Sequence, residues 1–190
     1  MKFCPHCGNT VVLRIPEGDD RERHVCSSCE VIHYSNPRVI VGCLPVYDDK
    51  VLLCLRAIEP RRNYWTLPAG FMENGETSVQ GAARETWEEA RAKVENTELY
   101  RVFDVPYINQ VYMFYRCELV AGEHSAGPES LDTRLYAESE IPWDNIAFPV
   151  ISQTLREYFP DAERNAKAIA SLGLAVREMS PFIVVSIKSA

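Results

Sequence analysis

Gly70-Phe71-Met72-Glu73-Asn74-Gly75-Glu76, running straight into Thr77-Ser78-Val79-Gln80-Gly81-Ala82-Ala83-Arg84-Glu85-Thr86-Trp87-Glu88-Glu89-Ala90-Arg91-Ala92, decides how the rest of the chain is read. The spacing predicts a helix from Thr77 to Ala90. Thr77 caps it and Gln80 reaches back, the reciprocal pair of a capping box. At about 100° per residue, Val79, Ala82, Ala83, Thr86 and Ala90 share one side and form the buried stripe. Arg84, Glu85, Glu88 and Glu89 fall on the other side, with the glutamates at i, i+3 and i+4. Carboxylates crowded this way repel one another unless something offsets them. A solvated acidic face is the ordinary explanation. The loop ahead of the helix points elsewhere, because Gly70 lets its backbone come close over the glutamates. Oxygen donors can then surround a divalent cation from two directions, and an all-oxygen set suits Mg2+ or Mn2+.

Outward from this stretch the pattern alternates strands and helices. Residues 38–47 and 50–56 read as strands joined by a hairpin at Asp48-Asp49. Pro60-Arg61-Arg62-Asn63 is a loop, and Tyr64 to Gly70 is a strand that stops at Pro68 and Gly70. Strands are expected near 98–104, 110–119 and 133–137, with a loop over 121–130 and a helix from Pro149 to Tyr158. That order predicts an α/β or α+β sandwich and excludes an all-β barrel.

At the N-terminus, Cys4-Pro5-His6-Cys7 and Cys26-Ser27-Ser28-Cys29 stand eighteen residues apart. Each pair is close enough to grip one ion, and a hairpin through Val11, Val12 and Ile15 brings the pairs together. Four thiolates at about 2.3 Å suit a closed, structural Zn2+ site. Gly8 follows the first pair, where a knuckle turn needs positive φ. Residues 1–36 are too few to bury a core, so the metal supplies the folding free energy. Cys43, Cys54 and Cys117 lie in apolar runs and read as core thiols.

The chain has 190 residues, 46% of them hydrophobic and 25% charged, as in ordinary globular proteins. Twenty Lys and Arg against 27 Asp and Glu leave a net charge of −7, which disfavours broad electrostatic attraction to nucleic acid. There is no membrane-spanning run, and no secretory core follows Met1. Free thiols without an export signal point to a reducing, cytoplasmic setting.

Gly70, Glu76, Arg84, Glu85, Glu88 and Glu89 also match the Nudix box, Gly-x5-Glu-x7-Arg-Glu-U-x-Glu-Glu-x-Gly-U, where U is a bulky aliphatic. The chain resembles that family over 36–160, or 1–160 with the ribbon. Thr86 and Ala92 depart from the two aliphatic positions and Arg91 from the closing glycine. Arg91 must either adopt a left-handed conformation, at about 1 kcal/mol, or let the helix run on. NADH pyrophosphatases of this type carry a Ser-Gln-Pro-Trp-Pro-Phe segment after the box, which is absent here. Leu67 to Gly70, Asp104 to Tyr112, Gly127 to Leu131, and Pro142, Ala147 and Phe148 look similar instead to the plant chloroplast FAD pyrophosphatase.

The resemblance implies a Nudix α/β/α sandwich with a mixed sheet (37–160) behind a small zinc ribbon (1–36), then an extension (161–190). It implies hydrolysis of FAD to AMP and FMN, or of ADP-ribose to AMP and ribose 5-phosphate. Glu85, Glu88, Glu89 and the backbone of Gly70 or Ala69 would hold Mg2+ or Mn2+, and Arg84 and Glu76 would order them. Glu129, with Asp132 as second choice, would activate water. Arg56 and Arg61 would meet phosphates, and Tyr64, Trp65, Phe71 or Tyr107 a planar ring. Rival readings are NADH, nucleoside triphosphate or capped-RNA hydrolysis, and a ligand sensor with a retained Nudix domain. Ala162 to Leu172 reads as a short helix and Pro181 to Ile187 as a strand. That strand needs a partner, on the body or across a homodimer. The expected partner otherwise is a small dinucleotide, with no nucleic acid and no membrane.

Overall fold

The computed structural model describes residues 1–172 and 183–186, in two compact units, Met1–Pro37 and Arg38–Ala190. In the first, β1 (Val11–Arg14), β2 (Arg23–Cys26) and β3 (Ile32–His33) form an antiparallel sheet in that order. Its buried apolar side chains are Cys4, Val25 and Cys26. Such a unit has almost no hydrophobic core of its own. Gly8 has φ +78° in the first knuckle, as its position requires.

The second unit begins with β4 (Arg38–Tyr47) and β5 (Lys50–Arg56), joined through Asp48 and Asp49 with φ of 46° and 59°. Both residues take positive φ, as the tightest hairpin turns demand. The single strand expected over Tyr64–Gly70 is instead two short ones, β6 (Trp65–Thr66) and β7 (Ala69–Phe71). Pro68 between them has no N–H to offer a ladder, and its carbonyl accepts from Cys43 N at 3.1 Å. β6 pairs with β5 while β7 pairs with β4, and β4 and β5 themselves pair only at Val46–Val51 and Tyr47–Lys50. The sheet is therefore split between β4/β7 and β5/β6.

After α1 (Ser78–Ala90) come β8 (Val94–Val105), β9 (Gln110–Leu119), β10 (Ser130–Tyr136), α2 (Pro149–Leu172) and β11 (Ile183–Ser186). The sheet order is β10-β5-β4-β9-β8-β11, with β4/β9 and β11/β8 parallel and the other pairs antiparallel. The chain is thus a mixed-sheet α/β fold. The period of two divides the side chains of each strand between the faces. Val41, Cys43, Tyr115 and Cys117 pack with Ala82 of α1. Leu44, Leu53, Phe103 and Phe114 pack with Val150, Ile151, Leu155 and Phe159 of α2. Cys43, Cys54 and Cys117 are all buried.

The two helices expected at 149–158 and 162–172 are one, and α2 passes through Pro160. Proline removes one helical hydrogen bond there, and tertiary contacts hold the far side. Buried Arg101 on β8 donates to Glu157 and, at 2.7 Å, to Asp161, which also accepts from Tyr100 at 2.9 Å. β11 runs parallel to β8 from Ile183 opposite Arg101 to Ser186 opposite Asp104. The strand expected from Pro181 to Ile187 is described only over 183–186, and residues 173–182 and 187–190 lie outside the described residues. No described helix is long and apolar enough to cross a membrane.

Candidate functional site

Helix α1 starts as its sequence dictates. Thr77 accepts from Gln80 N at 3.2 Å and Gln80 accepts from Thr77 N at 2.8 Å. It ends at Arg91, which takes the left-handed conformation at φ 49° while its N–H bonds Trp87 O. Between the ends, the buried stripe is turned from its expected position. Val79 is exposed, whereas Gly81, Ala82, Thr86, Glu89 and Ala90 are buried. The turn matters because it carries Glu89 to 7% exposure. There it accepts from Ala69 N at 3.3 Å. Burial, then the charge of Glu85, pushes Glu89 up to about 8. Burial also raises Glu85. Both effects disfavour a bare carboxylate and are reversed by a nearby cation.

Gly70 lies directly under Glu85. A Cβ at residue 70 would stand 2.4 Å from the Glu85 carboxylate, so any larger residue would push that side chain out of this seat. Arg84 holds the surrounding acids. Its Nε and Nη2 grip both oxygens of Glu76 at 3.0 and 2.8 Å, and its Nη1 reaches Glu85 at 2.8 Å and Glu88 at 3.0 Å. Nη2 also donates to Phe71 O at 3.2 Å, tying the loop to the helix. The guanidinium holds Glu76 at about 2, a paired, permanently charged anchor.

Glu129 reaches the same place from another element. Ser125 N and Gly127 N bond Ala90 O and Glu89 O at 2.8 and 2.9 Å, stitching the loop to the end of α1. Glu129 acts electrostatically on both Glu85 and Glu89, raising each. Asp132, by contrast, is held by Arg134 at 2.8 Å and by Thr133 N at 2.9 Å. Arg56 is the last residue of β5. Its charge acts on Glu89, and it lies 5.3 Å over the Phe148 ring.

The remaining candidates fall into two other groups. Phe71, 47% exposed, carries Arg38 over its ring at 4.7 Å, and it is paired laterally with Ile40, which is paired with Tyr112. Arg61 and Tyr64 line an open cleft of about 700 Å³ with Phe148, Asp144, Arg156 and Glu157, away from the α1 glutamates. Trp65 is core, at 7% exposure. Arg38 and Arg156 escaped sequence reading, and Gly127 was read only as part of a loop and not as a site residue. The signal for Gly127 was its place before Pro128 in the stretch Gly127 to Leu131.

In the first unit the sulfurs of Cys4, Cys7, Cys26 and Cys29 lie within 4.8 Å of one another. Ser28 N and Cys29 N both donate to Cys26 Sγ at 3.4 Å, and His33 Nε2 lies 3.2 Å from Cys4 Sγ. Four converging thiols with N–H donors around them fit structural Zn2+. The oxygen donors around Gly70 fit Mg2+ or Mn2+, the ions Nudix enzymes use.

A zinc ribbon followed by a glutamate-bearing helix on a split mixed sheet defines the class. The NUDIX domain profile matches residues 36–154, and the zinc-ribbon profile described as Nudix N-terminal matches residues 2–35. The chain belongs to the Nudix family, with its N-terminal zinc ribbon. Among solved structures it is similar to a NUDIX hydrolase from Nitrosomonas europaea, 51% identical over 98% of this chain and 99% of that one, with a TM-score of 0.88. Curated relatives include the NAD-capped RNA hydrolases NudC of Edwardsiella ictaluri and Photobacterium profundum. The first is 31% identical over 68% of this chain and 49% of its own length, the second 30% over 82% and 58%. The chain therefore spans about half to three-fifths of these two relatives.

Proposed function

We propose that this chain is a pyrophosphatase that cleaves a nucleoside diphosphate linked to a second moiety. Glu85, Glu88, Glu89 and the backbone at Gly70 hold Mg2+ or Mn2+. The observation that carries this reading is the Glu85 carboxylate packed over Gly70, 2.4 Å from where a Cβ of that residue would stand, with Glu89 buried beside it. When bound, the cation neutralises phosphate oxygens and lowers the pKa of water. The protein's own part is positioning and charge, as phosphoryl transfer requires. Arg84 keeps Glu85 and Glu88 in register, Glu129 takes the proton of the attacking water, and Arg56 meets the phosphates. Phe71 with Arg38 offers a flat, cationic surface for a planar ring. Residues 1–36 act as a zinc-stabilised ribbon and 37–160 carry the chemistry.

FAD and ADP-ribose are the first substrates, on the resemblance of the loops around 67–70, 104–112 and 127–131. NAD-type substrates are the second, because the curated relatives are named NAD-capped RNA hydrolases. That name brings nucleic acid back into consideration, against the expectation from net charge. A panel of FAD, ADP-ribose, NADH and NAD-capped RNA with Mg2+, with products identified, tests the proposal. Failure to hydrolyse any of them would refute it.

A further inference from the structure

Three arginines around the 700 Å³ cleft stack on aromatic rings without an ion pair to any described carboxylate. Arg56 lies 5.3 Å over Phe148, Arg61 5.3 Å over Tyr64, and Arg156 4.2 Å over Trp143. Arg38 and Arg91 stack singly on Phe71 and Trp87 in the same way, whereas Arg23, Arg84, Arg101, Arg134 and Arg164 pair with carboxylates. Only at this cleft do three such arginines gather among the described residues. Two acids line the cleft, Asp144 and Glu157, against the three arginines, and Glu157 is also held by Arg101, which it shares with Asp161. In a chain of net charge −7, this is a local surplus of positive charge.

The walls of the cleft are tied together. Ala147 N donates to Trp65 O at 2.8 Å, Asn145 Nδ2 to Asn63 O at 3.1 Å, and Ile146 bridges Trp65. The loop carrying Arg61 and the segment entering α2 therefore form one preorganised surface. Phe148 belongs to this cleft, and Arg56, which lies over its ring, also acts on Glu89, so Arg56 links the cleft to the α1 glutamates. Arg56 Nε donates to Pro60 O at 2.9 Å, but the guanidinium groups of Arg61 and Arg156 are held on rings with no hydrogen bond among the described residues. In that state such forks recognise phosphate oxygens well.

We infer that this cleft is a second anion subsite, in which Arg156 and Arg61 bind a phosphate carried on the substrate's nucleoside, separate from the pyrophosphate that is cleaved. The inference rests on the proposed pyrophosphatase reading for its substrate but not for its test. Such a phosphate has two sources. It is the 3′-linkage of an RNA chain behind a dinucleotide cap, or the 2′-phosphate of a phosphorylated dinucleotide.

The test is calorimetric binding of AMP, adenosine 3′,5′-bisphosphate and adenosine 2′,5′-bisphosphate to the full chain with Mg2+. One bisphosphate is expected to bind about tenfold more tightly than AMP, the gain of a charge-assisted contact at a half-open site. Preference for the 3′ isomer assigns the RNA source, and preference for the 2′ isomer the phosphorylated dinucleotide. Arg156→Gln should reduce that gain to less than threefold, with AMP affinity unchanged, and Arg156→Lys should restore part of it. If neither bisphosphate gains over AMP, or if the gain survives in an Arg61→Gln/Arg156→Gln double variant, the subsite is refuted. No turnover is read, so a failed substrate panel and a failed subsite remain distinct results.

Discussion

Replacing Gly127 by alanine should disable the site from a distance. A Cβ at residue 127 would lie 1.7 Å from the Glu88 carbonyl oxygen and 2.8 Å from its carbon. Carbon and carbonyl oxygen rest no closer than about 3.3 Å, so the loop must withdraw by about 1.6 Å. Backbone atoms of a helix are on the other side of this clash, and they cannot rotate away. The retreat strains or breaks the bonds from Ser125 N to Ala90 O and Gly127 N to Glu89 O. Overpacking of this kind costs about 1–3 kcal/mol, which a domain of this size survives, and lowers Tm by about 3–10 °C. The larger effect is on Glu129, two residues further on. A shift of about 1 Å in a positioned group costs about 100-fold in turnover. Gly127→Ala should therefore fold and melt cooperatively yet lose about two orders of magnitude in kcat on the best substrate of the panel. If the loop acts through Glu129, Gly127→Ala on a Glu129→Gln background should cost little more than Glu129→Gln alone. Activity within threefold of the parent, or full additivity of the two substitutions, would refute this account.

Glu89, at about 8 when folded and 4.5 ordinarily, takes up a proton on folding. The folded state holds more protons than the unfolded one between these values, so metal-free protein should lose stability as pH rises from 4.5 to 8. Melting in EDTA should show that slope, Mg2+ should restore stability at pH 8, and Glu89→Gln should flatten the slope and abolish turnover. An unchanged slope in the variant counts against Glu89. Arg101→Met removes the buried side chain that holds Glu157 and Asp161. A loss of about 2–3 kcal/mol is expected in denaturant unfolding, below the range for a fully buried pair because both acids reach solvent. A loss under 0.5 kcal/mol would mean that α2 needs no such anchor. A strong chelator should release one zinc per chain and unfold residues 1–37, read by metal analysis and by loss of amide protection there. Protection that survives metal removal would contradict the structural role.

Much of this protein is local and so was legible in its sequence. The start of α1 follows from Thr77 and Gln80, because caps act over three or four residues, whereas its end at Arg91, left open by the sequence, is settled by the left-handed conformation that residue takes. The zinc site follows from two short cysteine pairs, because a tetrahedral ion needs nothing but thiolates at the right spacing. The β4–β5 hairpin follows from Asp48 and Asp49, which tolerate positive φ. The glutamates at i, i+3 and i+4 announce a shared patch wherever their helix sits.

What the tertiary structure decided is how that helix is turned and what meets it. Period alone placed Val79 inside and Glu89 outside. Packing of Ala82, Thr86 and Ala90 on β4 and β5 reversed both, and that reversal makes Glu89 a buried acid. Gly70 under Glu85 depends on β7 leaving β5 and joining β4, a choice made by strand pairing. Arg56, Glu129 and the arginines of the cleft lie tens of residues from α1 in sequence, and no short-range pattern links them to it. The chemistry is written in residue types at fixed spacing. Their convergence is set by long-range packing, whose partners a single chain of letters does not name.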